Sequence, residues 1–225
     1  MPQCDVSGIR RRRQWSPDAR ALGMIGDRWM LLIVRELAFG PMRLSELQRA
    51  FPGLSTGALE QRLSRMAADQ LVVRRRYAEV PPRVEFELTE SGRALVDILG
   101  PVVRWALRWA WSEPTQEEWV DVTALFRLAC CLIDAPDDVE GELELVVEDD
   151  EQLVRDFYTL VLRDGRAGVE HRPAAHGDAV ITASRHAWAE ALGPRGARER
   201  LRVTGDERLA QAFLDIFARE RDLQG

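Results

Sequence analysis

The chain has 225 residues, 46% hydrophobic and 30% charged, which excludes the disordered and collagen-like classes. All 31 basic residues are arginine, and the net charge of −6 is unevenly spread: residues 1–112 carry 18 Arg against 12 acids, residues 113–225 carry 13 against 25. A +6 module joined to a −12 module suggests two units with different partners, the basic one a polyanion binder.

The cysteines are Cys4, Cys130 and Cys131. Such a set makes no disulfide framework, so a reducing cytoplasm is expected. The N-terminus lacks a signal-peptide core, and the apolar run 29–34 is far short of the ~20 residues that span a bilayer. A soluble cytoplasmic protein with no membrane partner follows as the expectation.

Residues 1–14, with Arg10–Arg13, read as a basic arm or a disordered tail. Pro17 and Asp18 open a helix to residue 39, stopped by Gly40-Pro41. A short helix at 44–50 ends at Pro52-Gly53, and Ser55 caps a third helix to about residue 69, with Leu59, Leu63 and Met66 buried. Strands at 71–79 and 84–88 flank Val80-Pro81-Pro82-Arg83. A long helix from Thr89 to Trp111 is expected to be bent or interrupted at Gly100-Pro101. Ser112-Glu113-Pro114 makes a natural boundary.

The second half begins with a helix at 116–133, apolar on two sides, so it is buried on both or faces a cavity. Strand 142–148 turns Leu143, Leu145 and Val147 inward and glutamates outward. Strands 153–163 and 166–172 flank the turn Asp164-Gly165. A strand at 179–183, a helix to 192, a strand at 201–204 and a helix at 206–221 complete an α+β unit. Its five strands are expected to be mostly antiparallel.

Helix–helix–helix–hairpin is the order of a winged helix-turn-helix, whose second helix of the motif enters the major groove. With Leu59, Leu63 and Met66 inward, Gly57, Glu60, Gln61, Ser64 and Arg65 lie outward or flanking. Gln61 has the donor and acceptor for an adenine edge, and Arg65 can reach a phosphate or a guanine. The candidate DNA-contacting set is Arg43, Ser55, Thr56, Gly57, Glu60, Gln61, Ser64, Arg65, Arg74, Arg76 and Arg83. Arg83 follows the rigid double proline, placed for a minor groove or a phosphate. Strand alternation separates Arg75 from Arg74 and Arg76.

Residues 15–110 resemble the HxlR-type winged-helix transcriptional regulators. The resemblance rests on Ile25-Gly26-Asp27-Arg28-Trp29, on Leu59-x-x-Arg62-Leu63 and on the run PPRVEFELTESG. It implies a homodimer on a near-palindromic operator, built from the N-terminal and long C-terminal helices of a domain over 15–112. Val102, Val103, Ala106 and Trp109 suit that seam or an intradomain core. Many members carry a redox-sensing cysteine directly before the first helix proline. Ser16 stands there in this chain and forms no thiolate, which argues against thiol sensing by this domain.

Residues 115–222 resemble the sterol-carrier-protein-like domain, on the strands around Asp164-Gly165-Arg166, on DAVITAS and on LRVTGD. That resemblance implies a five-stranded sheet with helices enclosing an apolar tunnel. The candidate lining set is Leu125, Leu128, Phe157, Trp188, Phe213 and Phe217, each with ordinary core as the alternative. His171, His176 and His186 lack metal spacing, no nucleophile elbow or phosphate loop occurs, and no cofactor, metal site or catalysis is expected. The leading expectation is a dimeric regulator modulated by a small apolar ligand. The alternative is an apolar-ligand carrier whose winged-helix half only dimerises.

Overall fold

A computed structural model describes residues 15–78, 83–115, 117–132, 140–149, 154–163 and 166–218. The basic arm, Cys4, the double-proline tip and Asp164-Gly165 lie outside the described residues.

The helix expected over 17–39 is two helices, α1 (Pro17–Ile25) and α2 (Arg28–Leu37). Asp27 causes the break: its carboxylate accepts the Trp29 N–H at 2.9 Å and caps α2. Next come β1 (Met42–Arg43), α3 (Leu44–Ala50) and α4 (Thr56–Ala68), with Ser55 capping α4 as expected. Strands β2 (Val72–Tyr77) and β3 (Arg83–Leu88) pair antiparallel, and β1 adds to the far edge of β3. Leu59, Leu63 and Met66 are at most 1% exposed and pack with Ile33, Val34 and Leu47 into the first core.

The long helix divides at Leu95 rather than at Gly100-Pro101, giving α5 (Glu90–Ala94) and α6 (Val96–Trp109), with Pro101 inside α6. Pro101 is the sixth residue of α6, inside the helix, where it forgoes one i→i−4 hydrogen bond without ending the helix. Gly100 is there for a close approach: a Cβ would meet the Cys131 carbonyl at 3.3 Å. Leu99 belongs to the first core, but Leu107 lies in the second. Helix α6 is therefore shared between the halves, and the charge boundary near residue 113 is not where the packing divides.

The helix expected from residue 116 starts only at α7 (Val122–Leu132), because Asp121 accepts the Ala124 N–H and begins the helix there. Strands β4 (Gly141–Asp149), β5 (Val154–Arg163), β6 (Arg166–Glu170), β7 (Ala179–Ser184) and β8 (Arg202–Gly205) form one sheet in the order β6-β5-β4-β7-β8. The sheet is mixed: three pairings are antiparallel and β4–β7 is parallel. Helices α8 (Arg185–Leu192) and α9 (Glu207–Leu214) pack with α7 on the face of Leu143, Leu145 and Val147.

Phe126 fills the centre of that layer, with edge-on rings of Trp188 at 4.8 Å, Tyr158 at 5.3 Å and Phe213 at 6.1 Å. The Trp188 indole N–H donates to the Val146 carbonyl at 3.0 Å, so its one polar atom is satisfied. Cys130 and Cys131 each lean on a carbonyl one turn back, Phe126 and Arg127 respectively. Burial pushes the Cys130 thiol up to about 12 and also raises Cys131, leaving almost no thiolate at neutral pH. A thiol-exchange assay on native protein is expected to label both slowly, and denaturant to release both. Rapid native labelling would contradict this burial.

Candidate nucleic-acid interface and domain junction

The outer face of α4 is open. Thr56, Gly57, Glu60, Gln61 and Ser64 are all exposed, and among the described residues Glu60 and Gln61 have no intrachain polar partner. The Ser55 hydroxyl accepts the Ala58 N–H at 3.3 Å, so one lone pair of that oxygen serves the cap. Arg62 anchors the helix: its guanidinium lies 3.0 Å from Asp27 and donates to the Ala58 carbonyl at 3.1 Å. The Trp29 N–H first, then Arg62, hold the Asp27 carboxyl below its ordinary range. This pair fixes α4 against the start of α2. The sequence showed both residues within the family motif without revealing that they meet.

Arg65 is oriented differently from the simple helical wheel. Its guanidinium donates to the Gly23 carbonyl of α1 and lies 3.7 Å from Asp69, which turns it back onto the protein. The wing arginines also divide. Arg74 and Arg76 pair with Phe86 and Val84 and share their face; Arg75, Arg83 and Glu85 occupy the other. Arg43 sits opposite Glu85 and is exposed. Arg83 is not a free tip residue but the first ladder position, opposite Tyr77. Its guanidinium lies 4.5 Å over the Tyr77 ring and 3.1 Å from Glu85. One surface thus gathers Thr56, Gly57, Glu60, Gln61 and Ser64, while the two strand faces offer Arg74 with Arg76, or Arg43 with Arg83.

The six expected ligand-lining residues are also divided. Trp188, Phe213 and Phe217 are at most 2% exposed and close the core on one another rather than facing a tunnel. Phe157 lies on the opposite sheet face, in register with Val146, because it is one residue out of step with inward Tyr158. Leu125 and Leu128 do line a cavity, of about 330 Å³, between α7, the 110–121 connection and the end of α8. A larger polar cleft of about 650 Å³ separates α3 and β1 from β5 and β6. Trp119 and Asp121 border both.

Between the cavities runs a buried charge cluster that the sequence reading missed. Arg35 lies 2.8 Å from Glu36 and 3.4 Å from Asp121, and Arg127 of α7 pairs with the other oxygen of Glu36. The Glu36 side chain is 1% exposed, so its charge is held entirely by these guanidinium groups. Burial, then Arg35, lowers Arg127 to about 10; burial also lowers Arg35, opposed by Asp121. Two cations and two anions balance, tying α2 of the first half to α7 of the second. Adjacent charges inside Val34-Arg35-Glu36-Leu37 were the available signal.

A three-stranded wing packed on α2, α3 and α4 defines a winged helix-turn-helix DNA-binding domain. Residues 24–114 match the HxlR-like helix-turn-helix family. The HTH-type transcriptional regulator YvaP of Bacillus subtilis is 39% identical over 90 residues, 40% of this chain and 83% of that protein. YtcD from the same organism is 40% identical over 84 residues, 37% of this chain and 67% of that protein. The reduced form of YodB from B. subtilis superposes with a TM-score of 0.40 at 31% identity, over 43% of this chain and 96% of that one. The chain belongs to the HxlR-like family and is a DNA-binding transcriptional regulator. Among the described residues no helix is long and apolar enough to cross a membrane.

Proposed function

We propose that the protein binds a near-palindromic operator as a homodimer and that a small, largely apolar ligand held by its second half modulates this binding. The observation that carries the reading is the open face of α4, with Glu60 and Gln61 unpartnered beside exposed Thr56, Gly57 and Ser64. Unpaired polar groups on a rigid, capped helix are available for base edges. The ligand half of the proposal rests on the junction: a cavity bounded by Leu125 and Leu128 also touches Arg35 of α2. A ligand there meets both halves and can favour one arrangement of them over another.

Gel-shift titration against the DNA upstream of the chain's own gene tests the first part. Specific binding should weaken as salt rises, with a log–log slope of about −0.9 per phosphate neutralised. Gln61→Ala is expected to weaken specific binding about 5- to 100-fold while leaving non-specific binding nearly unchanged. Equal losses on both DNAs would remove Gln61 from the reading face. No salt-dependent binding at all would favour the carrier alternative.

A further inference from the structure

We infer that the 330 Å³ junction cavity is an effector site for an amphipathic organic cation, an apolar or aromatic body bearing an ammonium-type head. The inference rests on the ligand-modulated reading above and names the ligand's charge. Most of the wall is apolar, and Trp111, Pro114, Val120, Leu125, Leu128 and Pro194 supply it. Three charged groups complete the lining: Arg35, Asp121 and Glu118. Arg35 and Asp121 belong to the neutral four-membered cluster, so their charges are already spent. Glu118 is not spent.

The Glu118 carboxylate accepts the Thr115 N–H at 2.7 Å and a second hydrogen bond from the Thr115 hydroxyl, and among the described residues it has no cationic partner. These hydrogen bonds, the backbone one first, hold its carboxyl below the ordinary range, so it is ionised at neutral pH. The site therefore presents a solvent-exposed carboxylate with no ion-pair partner among the described residues beside two indoles. Trp119 already receives a cation, with the Arg185 guanidinium 5.2 Å from its ring centroid. The surrounding half of the chain carries 13 Arg against 25 acids, which draws cations and repels anions. An anionic ligand would meet Glu118 and Asp121, and Arg35, the guanidinium in the lining, is already paired with Glu36 and Asp121.

The route to DNA is short. Asp121 begins α7 through the Ala124 N–H and also touches Arg35 on α2. A cation drawing Asp121 or Glu118 toward itself alters the restraint between α7 and α2, and α2 holds α4 through Asp27 and Arg62.

Calorimetric titration of the full-length protein with three probes of one size tests the charge. Benzyltrimethylammonium carries the cation, neopentylbenzene is its neutral isostere and phenylacetate is the anion; tetramethylammonium controls for ionic strength. The cation is expected to saturate at low-millimolar concentration or below, as its small size allows. It should bind at least about threefold more tightly than the neutral isostere. Phenylacetate should not bind measurably.

Glu118→Gln and Trp111→Ala should each weaken cation binding about three- to fivefold, and Glu118→Gln should leave neopentylbenzene unaffected. Operator affinity should change at least about fivefold when the cation is saturating. The site is overturned if phenylacetate matches the cation, if the cation fails to saturate by about 10 mM, or if neither variant weakens it. Cation binding without change in operator affinity overturns the effector role. Operator binding without any probe is read in the same samples, so failure of the regulator reading is seen separately.

Discussion

Glu36→Ala is expected to destabilise the folded chain by about 3–5 kcal/mol, more than any other single change at the domain junction. The carboxylate is 1% exposed and serves Arg35 and Arg127 together. Removing it leaves two buried guanidinium groups with only Asp121, 3.4 Å from Arg35, to offset them. Each then bears a desolvation cost that Glu36 had compensated, and the two cations repel. The cost comes from the unpaired partners, so replacing all the buried members behaves differently. Arg35→Met, Glu36→Leu and Arg127→Met combined should recover most of the loss, because apolar side chains of similar volume need no partners. Urea unfolding measures both through the shift in midpoint at constant slope. A loss below about 1 kcal/mol for Glu36→Ala would mean water reaches the cluster and pays the arginines' solvation.

The same cluster changes the expected behaviour of a truncated chain. Charge distribution alone suggests that residues 1–112 could bind the operator by themselves. Packing adds a cost to that expectation: truncation would remove Arg127 from Glu36 and strip Leu107 of its core. A truncated N-terminal half should therefore be measurably less stable than the full chain, and weaker DNA binding by it would not show that the second half touches DNA.

Much of the fold was legible because local chemistry agreed with tertiary packing. Ser55 capping α4, the 3.6-residue stripe of Leu59, Leu63 and Met66, and the alternation of β4 each appear where patterning put them. The misplacements share a cause: a helix boundary set by one polar side chain. Asp27 and Asp121 each accept a nearby backbone N–H and begin a helix, yet in sequence an aspartate within an apolar run reads as a surface position. Conversely, Gly100-Pro101 reads as a break, but the glycine serves contact with Cys131 and α6 continues through the proline to Trp109. Phe157 lies on the sheet face away from the other candidate lining residues, and a strand's two faces are hard to tell apart in sequence when both carry apolar residues, as Val146 and Phe157 show. Arg35 and Glu36 were missed because burial of a charge is decided by partners far along the chain: Asp121, 86 residues after Arg35, and Arg127, 91 residues after Glu36.

The largest functional effect is expected from the outer face of α6. Ile98, Val102, Trp105 and Trp109, spaced at 4, 3 and 4 residues, are 39%, 44%, 62% and 64% exposed. The seam suggested by Val102, Val103, Ala106 and Trp109 thus rotates: Val103 packs inward on the second core, and Trp105 takes its place outside. Two exposed tryptophans in one helical row form an apolar strip that water disfavours, and Leu22 of α1, 64% exposed, adds to the apolar surface of the same half. A second copy of α6 would cover the row with matching residues, as two-fold symmetry requires.

Trp105→Glu is expected to shift the protein from dimer to monomer in sedimentation, since the new charge would face its own copy. The folded monomer should keep its stability within about 0.5 kcal/mol, because Trp105 contributes little intrachain burial. Operator affinity should then fall at least about a hundredfold. A dimer engages its second half-site at a millimolar effective concentration, whereas monomers must each be recruited from solution. Trp109→Ala should give a smaller loss, removing apolar area without adding charge. A variant that stays dimeric yet binds operator normally would place the dimer contact elsewhere. One that becomes monomeric without losing affinity would show that a single α4 with its wing suffices for the operator.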